Sequence, residues 1–160
     1  MPPKKRSRKK TKKNPKQKML FHQIFFNIGK GELNEIPRFY ECYQNNKKKC
    51  KSQDITYKLW NRKMVEELVE KKENRLFKRI YYEFDQDIMR IDFARYLILY
   101  RYGGIYVDLD ICILGKSIKH LFQKEYFFVR WSDSHLPYNA ILGTKKNNPL
   151  FKDILDHCME

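Results

Sequence analysis

The stretch from Arg90 to Asp110 constrains this chain more than any other. It opens with Arg90-Ile91-Asp92-Phe93-Ala94-Arg95, continues through Leu97, Ile98 and Leu99, halts at Gly103-Gly104 and resumes as Ile105-Tyr106-Val107-Asp108-Leu109-Asp110. The first part is apolar almost all round, which marks a helix buried among other elements. Gly-Gly is a natural helix stop. Beyond it, Val107, Leu109 and Ile111 alternate with Asp108 and Asp110, as expected of a strand over 105–111 with one apolar face. On that reading both carboxylates share the other face with Tyr106. Two such carboxylates at the open end of a sheet can ligate a divalent cation through oxygen. A cation held there can neutralise a diphosphate leaving group. Asp92 and Arg95, three residues apart, fall on one side of the buried helix. Their spacing suits an internal ion pair as well as a pair aimed at a polar ligand beside the cation.

The rest of the chain alternates strand and helix patterns. Residues 20–26 form a short apolar run, read as the first strand. Residues 34–46 fit a helix with Asn34 as its cap and Pro37 in the first turn. Residues 55–60 alternate as a strand, and 62–74 place Met64, Val65, Leu68 and Val69 on one helical face. The buried helix takes 86–102. Ser117 caps a short helix through Phe122, residues 126–131 read as a buried strand, and 139–143 as another short strand. Asn148-Pro149 opens a last helix with Leu150, Ile154 and Leu155 inward. Alternation of this kind implies an α/β domain with a mainly parallel central sheet flanked by helices. Ligands of such sheets bind outside the carboxyl ends of the strands, where Asp108 and Asp110 fall.

At these residues the chain resembles a known family. The pattern R-x-D-x-x-R-Y-x-x-L-x-x-x-G-G-x-Y-x-D-x-D is similar to the core of the DXD sugar-binding glycosyltransferases. These include fungal initiating alpha-1,6-mannosyltransferases and capsular polysaccharide transferases, with the clostridial glucosylating toxins more distant. Phe21-His22-Gln23-Ile24-Phe25 resembles the family's first strand, Tyr57-Lys58-Leu59-Trp60-Asn61 its second, and Asn139-Ala140-Ile141 the strand after the metal site. The resemblance implies a GT-A-like single domain over residues 19–160, a nucleotide-sugar-binding half of Rossmann type plus part of the acceptor half, with the family's C-terminal part absent. It implies metal-dependent, retaining transfer of a hexosyl group from a UDP- or GDP-linked sugar to a hydroxyl of a glycan or glycoprotein. Asp110 becomes a ligand of Mn²⁺ or Mg²⁺, with Asp108 supporting the metal and touching ribose or sugar. Asp92 and Arg95 become donor-sugar contacts, Phe25 takes the place of a base-stacking Trp, and Asn139 approaches sugar or acceptor. The resemblance further implies that these 160 residues bind the donor better than they turn it over.

Charge is distributed unevenly. Residues 1–18 carry ten of the 34 Lys and Arg and no acid, leaving 24 basic against 19 acidic residues beyond them. This tail has three prolines and no apolar periodicity, so disorder is expected. It suits a polyanion or nucleic acid, an anionic membrane surface, a nuclear import signal, or simple solubility. A polyanion-binding protein acting through the tail, and a non-catalytic nucleotide-sugar-binding relative of the fold, are the alternatives to an enzyme. No apolar stretch approaches the roughly 20 residues of a membrane span, and no signal peptide is legible. A cytoplasmic location follows as an expectation, unlike the membrane-anchored Golgi members of the family. The four cysteines show no C-x-x-C pair and no zinc spacing. Cys112 reads as a reduced core thiol, and Cys42 and Cys50 as reduced surface thiols that could alternatively close a loop.

Overall fold

The computed structural model describes residues 18–29, 31–130 and 136–158. The basic tail up to residue 17 lies outside them. Strand β1 (Leu20–Ile24) leads through a 3-10 turn (Leu33–Glu35) to helix α1 (Pro37–Ser52) and strand β2 (Thr56–Trp60). Helices α2 (Arg62–Val69), α3 (Arg75–Glu83) and α4 (Asp87–Tyr102) follow, then strand β3 (Gly104–Val107). A 3-10 turn (Lys119–Gln123), strands β4 (Tyr126–Arg130) and β5 (Pro137–Thr144) and helix α5 (Pro149–His157) complete the chain.

The sheet order is β2-β1-β3-β5-β4. β1 is parallel to β2 and β3, whereas β5 runs antiparallel to both β3 and β4. The parallel core was legible in the sequence; the sheet as a whole is mixed. Strand alternation builds two cores. Phe21, Ile105 and Val107 face α1, with Cys50, Ile55 and Ile118. Ile24, Trp60, Tyr106 and Leu142 face α2, α3, α4 and α5 through Val65, Phe77, Phe93, Leu97 and Phe151. α4 buries Phe93, Ala94, Arg95, Leu97, Ile98 and Leu99, as an apolar helix should, but its first turn is open, with Ile88 and Met89 exposed.

Gly103 and Gly104 make the turn from α4 into β3, with φ of 66° and 106°. A Cβ at Gly104 would lie 2.3 Å from the Leu20 carbonyl oxygen, so only glycine lets β3 pair with β1 there. His22 reinforces the junction. The Trp60 indole N–H donates to His22 Nδ1 (3.1 Å), leaving Nε2 to donate to the Gly103 carbonyl (3.0 Å).

Several expected elements change. The 34–46 helix begins at Pro37, after a capping box between Glu32 and Glu35, so Asn34 is not its cap. The 62–74 helix stops at Val69 and is followed by a separate α3. Asn74 tightens that break, since its buried side chain donates to Leu68 O (2.7 Å). The strand expected over 126–131 is described as far as Arg130 and is a largely exposed edge rather than buried, because β5 covers one side only. In α5 Phe151, not Leu150, points inward. Cys112 is not a reduced thiol: it is bonded to Cys42, with Cα atoms 4.5 Å apart. Spacing along the chain hides this, because α1 packs against the segment that follows β3. Cys50 is buried and free.

Candidate active site

The carboxyl ends of β1 and β3 open into a cleft of about 240 Å³. Phe25, Arg95, Tyr106, Asp108 and Asp110 line it, with an apolar wall that includes Ile36 and Ile88. β3 ends at Val107, so the expected strand over 105–111 is corrected: Asp108 sits at the strand end and Asp110 in a turn. Ile111 N donates to Asp108 O at 3.1 Å to close that turn. Thus a turn, not the pleat of one strand, carries the two carboxylates to the cleft.

Asp108 is fixed on several sides. Its N–H donates to Ala140 O (2.8 Å) and its carbonyl accepts from Gln23 Nε2 (3.0 Å). Gln23 is itself held by the Tyr57 hydroxyl (2.8 Å). Asp108 Oδ1 accepts from the Tyr106 hydroxyl at 2.8 Å and faces a guanidinium nitrogen of Arg95 at 3.2 Å. Burial pushes the Asp108 carboxyl up, against the opposing pull of Arg95 and the Tyr106 hydroxyl. Tyr106 is fully buried and burial holds its phenol well above the usual range, so it remains a donor. By contrast, the Asp110 carboxylate is exposed and makes no hydrogen bond among the described residues.

Arg95 joins the parts. Its side chain is 4% exposed. One nitrogen bonds Asp92 Oδ1; the other reaches Asp108 and donates to the Asn139 carbonyl at 2.7 Å. The guanidinium lies 4.9 Å from the Tyr106 ring centroid, a cation–π contact. Its buried Nε has no partner among the described residues. The Asp92–Arg95 pair therefore exists, and it is tied to the acidic turn. Asn139 enters through its main-chain carbonyl rather than its side chain. Phe25 is half-buried on the cleft wall. Tyr106 stands two residues before Asp108 in the sequence; nothing local signalled Gln23 or Tyr57.

Two carboxylates are hard oxygen donors suited to Mg²⁺ or Mn²⁺, which complete their coordination with water and substrate phosphates. No cluster of three or more His, Cys, Asp or Glu able to hold a metal occurs among the described residues. Asp108 and Asp110 bring two such oxygen donors to one cleft. A larger hollow of about 450 Å³ lies at the opposite end of β1 and β3, lined by Lys18, Lys119, Lys124 and Lys145; it has none of this chemistry.

Residues 37–128 match the family described as the glycosyltransferase sugar-binding region containing a DXD motif. Asp92, Arg95, Asp108 and Asp110 fall within that match. Inositol phosphoceramide mannosyltransferase 3 of Schizosaccharomyces pombe is 31% identical over 126 residues, 78% of this chain and 34% of its own length. A mannosyl phosphorylinositol ceramide synthase of Saccharomyces cerevisiae is 30% identical, covering 85% of this chain and 34% of its own. The chain thus spans about a third of the length of these relatives. The solved PaToxG glycosyltransferase superposes with a TM-score of 0.57 at 17% identity, over 87% of this chain and 59% of that one, which shows a shared fold.

Proposed function

The chain belongs to the family of glycosyltransferases whose sugar-binding region contains a DXD motif, and on that premise we propose that it transfers a hexosyl group from a nucleotide diphosphate sugar to an acceptor hydroxyl. The relatives' names favour mannose, and a hydroxyl of inositol phosphoceramide as acceptor; a glycan or glycoprotein hydroxyl is the alternative. The observation that carries the reading is the buried Arg95, which binds Asp92 and Asp108 together and lines one cleft with Asp108 and with an Asp110 carboxylate that is unpaired among the described residues.

Asp110 and Asp108 would hold Mn²⁺ or Mg²⁺, which when bound offsets charge building on a leaving diphosphate. Asp92 has one oxygen on Arg95 and a side chain 45% exposed, so it can accept sugar hydroxyls. Arg95 orients both carboxylates through charge-assisted hydrogen bonds. Phe25 offers a ring to the base. Both Asp92 and Asp108 are engaged by Arg95, so neither is free as a nucleophile. That is compatible with the retaining reaction the family resemblance implies, in which the acceptor attacks the face that the diphosphate leaves, and the anomeric configuration of the product decides between retention and inversion. The test is hydrolysis of UDP- and GDP-sugars with Mn²⁺, Mg²⁺ or chelator, in wild type and Asp110→Asn. Expected is cation-dependent hydrolysis of one donor, lowered at least about 100-fold in the variant. Equal nucleotide affinity with and without cation, in both proteins, would count decisively against it.

A further inference from the structure

The segment after Asp108 is held along its length by one face of α1. Arg38 Nε donates to Asp110 O at 3.1 Å. Cys42, one turn on, is bonded to Cys112. Asn46, 1% exposed, donates from Nδ2 to Ile111 O and accepts at Oδ1 from Ile113 N, both at 2.8 Å. Asn45 donates to Ile113 O (3.1 Å) and Lys49 to Gly115 O. Past the helix end, Gln53 Oε1 accepts from Ser117 Oγ and Ile118 N, each at 3.0 Å. Positions 38, 42, 46, 49 and 53 recur every three or four residues, so they make one stripe. Helix side chains here satisfy main-chain groups that lack a partner strand.

We propose that the first part of this stripe, from Arg38 to Asn46, is a positioning device for the acidic turn, in which the Cys42–Cys112 disulfide and Asn46 fix the backbone at 110–113 and thereby aim the Asp110 carboxylate into the cleft, whereas Gln53 holds only residues 117–118. The inference rests on the reading of Asp110 as a cation and diphosphate contact. Its physical basis is an asymmetry between the two acids. Asp108 is held by the sheet, Tyr106 and Arg95. Asp110 lies beyond the last strand residue and its carboxylate has no hydrogen bond of its own among the described residues, so only its backbone sets its direction. Without the stripe, residues 110–113 form a surface loop, and ordering them at each binding event costs conformational entropy. With it, that ordering is already present. Arg38, Cys42 and Asn46 act through the turn and need not touch the substrate.

The experiment pairs hydrogen exchange with calorimetry on the full chain. It compares wild type, Cys42→Ser/Cys112→Ser, Asn46→Ala, and wild type treated with a dithiol. The dithiol delivers two electrons and two protons, converts the disulfide to two thiols and leaves as its own cyclic disulfide. Gln53→Ala, at the far end of the stripe, is the control. Amides at 109–113 should exchange at least about tenfold faster in both variants and on reduction, with those of β3 unchanged. Mn²⁺-supported affinity for the nucleotide sugar should fall about fivefold or more. Gln53→Ala should lower the melting temperature and leave both readings alone. Unchanged exchange at 109–113 in both variants would overturn the proposal. So would losses of affinity that track melting temperature in every variant, Gln53→Ala included. If wild type binds no nucleotide sugar, the functional reading fails, and the exchange measurements still decide whether the stripe holds the turn.

Discussion

Arg95 is the residue on which the site turns. Its planar fork serves Asp92, Asp108 and the Asn139 carbonyl at once, which a lysine ammonium cannot do. Arg95→Lys should therefore keep the charge yet lower donor hydrolysis by about 100-fold, as loss of a preorganised donor does. Arg95→Ala leaves buried polar partners unpaired and should cost about 3 kcal/mol in chemical denaturation. Asp92 differs because solvent screens its nearly half-exposed side chain. Asp92→Asn should cost about 1 kcal/mol or less while turnover falls far more. A large drop in melting temperature with unchanged kinetics would make that pair structural only. His22 yields a prediction on pH. Burial lowers it from an ordinary 6.5 to about 4, so the unfolded chain takes up its proton first as pH falls. The stability contributed by neutral His22 is whole above about 6.5 and is lost on acidification towards 4, by about 1.4 kcal/mol per pH unit. His22→Gln can replace both hydrogen bonds and should flatten that limb of the stability–pH curve.

Among the elements, the junction of α4 and β3 carries the heaviest constraint. It must end a buried helix, admit a strand beside β1 and deliver Asp108 three residues after that strand's second residue. Gly104→Ala meets both a positive φ and the Leu20 carbonyl. We expect it to destabilise by about 3 kcal/mol or more and to loosen the β1–β3 pairing, as backbone strain and overpacking combine. Gly115→Ala, with open space at its Cβ, should change stability by no more than about 0.5 kcal/mol. Denaturant titration of the two variants checks the contrast. β5 matters for a different reason. Its antiparallel seat beside β3 brings Ala140 O to the Asp108 amide and Asn139 O to Arg95, so an element from late in the chain finishes a site begun by α4.

At the scale of the molecule, the two ends of the sheet differ in chemistry. The cleft end presents Asp108 and Asp110. The other end presents Lys18, Lys119, Lys124 and Lys145 around a larger hollow, and Lys18 is where the basic tail joins the domain. Among the described residues no helix is long and apolar enough to cross a membrane. The tail's ten basic residues should give polyanion or anionic-vesicle binding that falls steeply with salt. Removing residues 1–17 should abolish most of that dependence and leave donor hydrolysis unaltered, because the tail joins the domain at the end remote from the cleft. A matching loss of hydrolysis would show that the two ends are coupled.

The residue types of the candidate site were legible in the sequence, while their arrangement was not. Helix and strand periods are properties of the backbone, so the all-round apolar run of α4, the Gly103-Gly104 stop and the alternation through Val107 disclosed a buried helix feeding a strand with acids at its end. Asp92 and Arg95 could be paired for the same reason, since one helical turn separates them. Other features depend on contacts between residues far apart in the chain, which no local period records. The Cys42–Cys112 bond spans 70 positions, Arg95 reaches Asn139 across 44, and Asn46 reaches Ile111 across 65. The end of β3 at Val107 also lay outside the pattern. Apolar and acidic residues keep alternating through Ile111, but the hydrogen bonds that define a strand require a neighbour. The β3–β5 pairing makes its last bond from the Asp108 amide to Ala140 O, and a turn takes over. The sequence alone therefore determined which side chains could do the chemistry, and packing of α1, α4 and β5 around β3 determined how they meet.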